Sequence, residues 1–229
     1  MKASKKALVI GGNSSILQTF VDALRAKGYE IHATSRGSRP QGQVVSKHLN
    51  LDVRIQSSLE NFIRQIQSEK YDLILSAIGM TSGVPIERET LSHIDEVLRV
   101  NLSANIWMLP RLIETLTTDG VIGFVGSSAA EGTSFDISYS AGKAGLRSAV
   151  TSYSSTRNLG EKRIYVFEPS LVEESTMYSE MNEANIHKHR EKWNGQLLNF
   201  SDITTVLMKV YMDPKQEEII QKIRPKVSN

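Results

Sequence analysis

At 229 residues, 40% hydrophobic and 23% charged, the chain has the mix of one globular domain with a sizeable core. A net charge of +2 gives none of the concentrated basic surface that nucleic acid needs. The absence of cysteine removes disulfides, thiolate nucleophiles and thiolate-bound zinc together.

The start, MKASKKALVI, is basic, but its apolar run is too short for a secretory signal. No run of about 18 apolar residues occurs, so a cytoplasmic protein without a membrane span is expected. Short apolar runs then alternate with segments of helical period. ALVIG (7–11) reads as a strand, and SILQTFVDALRAKG as a helix with Ile16, Phe20 and Leu24 on one face and Gly28 as its stop. YEIHATS (29–35) is a second strand, and HLNLDV holds a short third. SSLENFIRQIQSEK reads as a helix opened by a capping box of Ser57 and Glu60.

YDLILSAIG (71–79) is a strong buried strand. The long helical stretch LSHIDEVLRVNLSANIWMLPRLIETL is expected to bend near Pro110. GVIGFVGSS (120–128) is a strand, ISYSAGKAGLRSAVTSYSSTR a helix, and RIYVFEP (163–169) a strand. SDITTVLMKVYM reads as a helix with Ser201 as its N-cap, and EEIIQKI fits either a strand or a helix. The alternation predicts an α/β fold, a doubly wound parallel sheet with helices on both faces, in a single domain over 1–229.

Ligands of such sheets sit beyond the carboxyl ends of the strands. After the first strand, Gly11 and Gly12 permit a tight turn and a close approach by phosphate. Asn13 and Ile16 share this loop, and Ser14 and Ser15 stand at a helix start, where hydroxyls can meet an anion. The spacing G-x-G-x-x-G is absent. After the second strand stand Ser35, Arg36 and Arg39, with no acid. Basic residues here suit a 2′-phosphate, which favours NADP(H) over NAD(H).

The stretch YSAGK places Tyr139 and Lys143 four apart on one helix face. A nearby ammonium stabilises a phenolate and lowers a tyrosine pKa. Upstream, Ser127 and Ser128 end a strand, where a hydroxyl can hold a carbonyl oxygen. His187 and His189 are two apart and diverge on a helix, so no metal site is expected.

In their order, GGNSSI, LDV, SAIG, RVNLSA, GSS and YSAGK resemble the short-chain dehydrogenase/reductases, in their compact single-domain Rossmann-fold branch, over about residues 7 to 178. The resemblance implies an NAD(P)(H)-dependent oxidoreductase acting on a small-molecule carbonyl or secondary alcohol. Its catalytic set falls on Asn101, Ser128, Tyr139 and Lys143, with Ser127 as the second choice of serine. Tyr139 would exchange the proton, Lys143 would lower its pKa and hold the nicotinamide ribose, and Ser128 would hold the reacting oxygen. Asn101 would help hold a water linked to Lys143. Asp52 and Val53 would meet the adenine, Ala77, Ile78 and Gly79 the adenosine ribose, and Pro169 and Val172 the nicotinamide. Residues 173–200 would form a substrate lid, and Ala144, Ser148 and Ala149 would allow close helix packing in a homodimer or homotetramer.

The chain departs from that pattern. Against the family's G-x-x-x-G-x-G, Ser15 and Leu17 replace the second and third glycines, and Pro169-Ser170 replaces a Pro-Gly turn. Ser128 also stands closer to Tyr139 than is usual. Two other readings therefore stay open: a non-catalytic NADP(H)-binding regulator, which a displaced loop would favour, and a nucleotide-sugar epimerase or dehydratase, for which the chain leaves little room.

Overall fold

The computed structural model describes residues 4–37, 45–132, 134–213 and 215–226. Seven parallel strands form one sheet in the order β3-β2-β1-β4-β5-β6-β7. They are β1 (Lys6–Ile10), β2 (Glu30–Ser35), β3 (Lys47–Asn50), β4 (Tyr71–Ser76), β5 (Leu116–Val125), β6 (Arg163–Pro169) and β7 (Ile220–Ile223). The ambiguous last segment is thus a strand, pairing along β6 from Val166–Ile220 to Pro169–Ile223. Strand order reverses between β1 and β4, which places the ligand crevice of a doubly wound sheet at their carboxyl ends.

The period-two alternation of the strands sorts their side chains onto two helical layers. Leu8, Ile10, Ile74, Ile122, Phe124, Ile164 and Val166 face α2 (Gln56–Ile66), α4 (Ala104–Glu114) and α5 (Ile137–Thr156). Ala7, Val9, Leu73, Leu75, Tyr165 and Phe167 face α1 (Gln18–Ala26) and α8 (Phe200–Met212). Both faces of the central strands are buried, which explains why their sequences read as continuous apolar runs. Short helices α6 (Thr176–Glu180) and α7 (Glu183–Lys192) follow β6. No helix among the described residues is long and apolar enough to cross a membrane.

Three local expectations are corrected. Helix α2 starts after Ile55 with no side-chain cap, and the Ser58 hydroxyl instead accepts from the Asp52 N–H at 2.9 Å. Helix α8 is capped by Asn199, not Ser201, in a reciprocal box with Asp202. The long helical stretch is interrupted not at Pro110, which lies inside α4, but at a π-turn, Arg99–Ser103, that follows α3 (Leu91–Leu98).

That π-turn is fixed from both sides. Asn105 donates to the carbonyls of Val100 and Asn101, and its Oδ1 accepts from Ser76 at the end of β4. Helix α5 packs against the turn through glycines: a Cβ on Gly142 would lie 2.8 Å from the Asn101 Cβ, an atom that no side-chain rotation can move away. A Cβ on Gly145 would meet only the tip of Leu102, at 2.9 Å, which can move. In an ordinary helix interior Gly→Ala gains up to about 1 kcal/mol. Gly142→Ala is expected instead to cost about 1–3 kcal/mol from overpacking, while Gly145→Ala is near neutral. Urea denaturation of the two variants measures both.

Candidate active site

The carboxyl ends of β1, β2, β4, β5 and β6 open into a cleft of about 1100 Å³. At one end the chain turns tightly after β1. Gly11 has φ +85°, its N–H donates to Thr34 Oγ1 at 3.0 Å, and its carbonyl accepts from the Ser14 N–H at 2.9 Å. A Cβ at Gly11 would stand 3.1 Å from the Ala77 carbonyl oxygen, so only glycine lets the loop sit this close to β4. Leu17, the bulky replacement, points into the core with Phe20 and Val21 and is fully buried. It therefore fills the layer under the loop and leaves the loop's outer surface free.

Asn13, Ser14, Ser15, Ile16, Ser35 and Arg36 line this end, as do Asp52, Val53 and Ala77 through Gly79. Gly12 does not. It is buried, and its N–H is used by the Thr34 carbonyl at 2.7 Å. Arg39 lies outside the described residues. Asp52, expected to meet an adenine, is already engaged: its carboxylate takes Arg54 Nε at 2.9 Å and Nη2 at 2.6 Å. That hydrogen bonding holds the Asp52 carboxyl below its usual pKa, with the Arg36 charge adding to the effect. Arg54, unremarked in the sequence, also lines this end, paired with Asp52 and, at 3.2 Å, with Glu96.

At the other end stands the phenol of Tyr139, on the first turn of α5. Asp136 caps that helix, accepting from the Tyr139 N–H at 2.9 Å, and its second oxygen takes the Ser82 N–H at 2.7 Å. The start of α5 is thereby tied to the loop after β4. Lys143, one turn on, is buried and donates to the carbonyls of Val125 at 2.9 Å and Ile78 at 3.2 Å. Gly79 keeps that space open, since a Cβ there would come 3.1 Å from Lys143 Nζ.

Ser127, the second choice of serine, stands near enough to the Tyr139 phenol for its hydroxyl to lower the phenol's pKa. Strand β5 ends at Val125, and Ser127 is still extended (φ −165°, ψ 153°), whereas Ser128 has already entered a 3-10 turn, Ser128–Glu131. Ser128 lines the cleft nearby. Burial pushes the phenol up to about 12, the Ser127 hydroxyl opposing and Asp136 assisting. Burial pushes Lys143 down to about 8.

Asn101 is fully buried and does not line the cleft. Its Nδ2 donates to the carbonyls of Met80 at 2.7 Å and Val97 at 3.0 Å, so it acts on the site by fixing the π-turn and the loop after β4. Pro169 and Val172 line the cleft, as expected. Between them Ser170, standing where a glycine was expected, lines the cleft and carries a buried hydroxyl with no partner. An unpaired buried hydroxyl costs free energy that a bound ligand can recover.

A family model described as short chain dehydrogenase matches residues 5–186. The chain belongs to this family. It is an oxidoreductase of the short-chain dehydrogenase type, acting on CH–OH or C=O groups of small molecules with a nicotinamide cofactor. The fold agrees with solved members. A short chain dehydrogenase family protein from Francisella tularensis subsp. tularensis SCHU S4 is 17% identical, with TM-score 0.81 over 96% of this chain and 97% of that one. A dehydrogenase/reductase from Sinorhizobium meliloti 1021 is 20% identical, with TM-score 0.83 over 96% and 94%. A short chain dehydrogenase from Burkholderia cenocepacia J2315, in complex with NADP, is 18% identical, with TM-score 0.84 over 96% of each chain. No curated protein sequence matches the chain.

The residues present fit a dinucleotide. The loop at Gly11 allows close approach, the hydroxyls of Ser14 and Ser15 line the same end, and Ser170 offers an unused polar group. The Lys143 pKa carries a stability signature. Folded, the amine titrates near 8, and unfolded, near 10.5. Below pH 8 both states hold the proton and the buried charge counts fully against the fold. As pH rises the folded state sheds its proton first and the penalty is relieved. Relative to Lys143→Met, the wild type is expected to gain about 2 kcal/mol between pH 7 and 9.5. Parallel urea stability curves for the two proteins would show that the amine is not desolvated.

Proposed function

We propose that this dehydrogenase reduces a ketone or aldehyde with NADPH, or runs the reverse oxidation, using Tyr139 as its acid. The observation that carries the reading is the Tyr139 phenol lining the cleft together with Ser127 and Ser128, one helical turn from Lys143. When bound, the nicotinamide supplies the hydride. The chain supplies the proton and the geometry. With its pKa near 12, the phenol holds its proton at neutral pH and can pass it to a carbonyl oxygen becoming an alkoxide. Ser127, beside it, donates to the same oxygen, a preorganised contact to developing charge. Lys143 then shifts its ammonium from backbone carbonyls toward the phenolate, and positive charge there stabilises the anion left behind.

The reading of NADPH over NADH rests on Arg36, which lines the cleft just after β2, where an acid would select NAD. Residues 173–200 act as the substrate lid. Met177, Glu180, Met181 and His189 from this segment line the cleft.

Fluorescence titration is expected to show tighter binding of NADPH than of NADH. Arg36→Ala should remove about 10–100-fold of that preference, as loss of a charge-assisted hydrogen bond implies. Equal affinities in the wild type would refute the phosphate assignment. Tyr139→Phe is expected to lower kcat by about 10²–10⁴-fold with NADPH affinity retained. Ser127→Ala should cost about 10²–10³-fold in kcat, and Ser128→Ala much less. The opposite order for the two serines, in steady-state NADPH oxidation, would return the role to Ser128.

A further inference from the structure

Past Tyr139 the cleft changes character. The phenol ring packs with Val97 and Ala129, and partly buried Met80 and Met177 close over them. Met181 and Phe135 continue the wall, Phe135 with 51% of its surface exposed. The ionisable groups here are Asp136, Glu180 and His189. Asp136 spends both oxygens on Tyr139, Ser138 and Ser82. Glu180 is exposed at the rim. His189 has its pKa pushed down by burial and by the Lys192 charge, so it faces the cleft as neutral imidazole at pH 7.

Cations are placed elsewhere among the described residues. Lys143 points at backbone carbonyls, and Arg36 and Arg54 belong to the opposite end. Arg190, next to His189, is held by Glu173 and the Tyr178 hydroxyl and does not line the cleft. A carboxylate or phosphate entering this end would lose its water, meet no cation but Lys143, whose ammonium is already taken by the Val125 and Ile78 carbonyls, and pass Glu180. Hydrocarbon and aromatic groups find flexible, polarizable methionine thioethers that adapt to several shapes.

We infer that the substrate is an uncharged carbonyl compound with an apolar or aromatic flank, and that the Met80–Met177–Met181 wall with Glu180 excludes carboxylated and phosphorylated ones. The inference rests on the oxidoreductase reading, with the carbonyl held at Tyr139. It is tested with acetophenone and 4-acetylbenzoate, which share ring and ketone and differ in one charge. Binding of each to the NADPH-saturated protein is measured by calorimetry, and NADPH oxidation is followed in parallel. Acetophenone is expected to bind at least about tenfold more tightly. Glu180→Lys should narrow that gap severalfold by improving 4-acetylbenzoate alone, and added salt should restore it. Equal or tighter binding of 4-acetylbenzoate overturns the inference, as does binding of neither ketone by a protein that takes NADPH normally. Failure to bind NADPH itself overturns the oxidoreductase reading and this inference with it.

Discussion

A buried ammonium governs the centre of this protein. Lys143 sits with almost no solvent contact, held by the carbonyls of Val125, which ends β5, and Ile78, just after β4. Those two strands are neighbours in the sheet, so one side chain from α5 ties the floor of the cleft together. A buried charge is tolerated only where polar groups receive it. Everything that delivers those groups is therefore constrained: Gly79 must lack a side chain, Gly142 must let α5 reach the π-turn, and Asn101 must hold the Met80 backbone from beneath. The π-turn is the device that brings Asn101 to that place, since its extra residue per turn shifts the helix face. Such turns recur at functional sites.

A second charged group anchors the same helix from its far side. Glu168, at the end of β6, is fully buried and takes both Arg147 Nε at 2.5 Å and Nη2 at 2.6 Å. Arg224, just after β7, donates to the Glu168 carbonyl and to Glu131 in the turn that follows Ser127. Lys222 joins Glu131 at 2.9 Å. A bidentate pair gives direction as well as attraction, and its desolvation cost means that it specifies geometry more than it stabilises. Here the geometry specified is where β6 releases Pro169 and Ser170 into the cleft, relative to the helix that carries Tyr139.

The sheet was legible because burial on both faces writes strands as unbroken apolar runs; β1, β4 and β6 follow 7–11, 71–79 and 163–169 closely. Caps were less so. Ser57 and Ser201 have the right chemistry, but caps depend on which residue the incoming loop leaves in extended conformation, and that is set by Ile55 and Asn199. The π-turn left no trace, because Asn105, which satisfies it, is an ordinary polar residue in a helical stretch. At the site, Tyr139 and Lys143 were readable from spacing, whereas the different backbone of Ser127 and Ser128, one extended and one already in a 3-10 turn, hinged on one residue of strand length. Asp136 had a signal: an acidic residue just before a helical run is a strong N-cap. Ser170 stood out only as the replacement in a Pro-Gly turn, and Arg54 had no signal, since it acts through where the chain puts it.

The two resting pKa values give the last step. Alone, burial drives the phenol of Tyr139 up and the amine of Lys143 down, so burial works against the charged form of each, although Lys143, near 8, still holds its proton at pH 7. This is not a pair already primed as phenolate and ammonium. What changes the balance is negative charge arriving beside them. A carbonyl oxygen that is becoming an alkoxide takes the phenol's proton and leaves a phenolate, and an adjacent phenolate raises the affinity of Lys143 for its own proton. The buried lysine then becomes more strongly protonated as the tyrosine gives up its proton. The desolvation that opposes its charge at rest makes its attraction to the new anion stronger in the same low-dielectric setting. Apolar packing around Tyr139 by Val97, Ala129, Met80 and Met177 is thus part of the electrostatics, because it keeps out the water that would otherwise screen both charges.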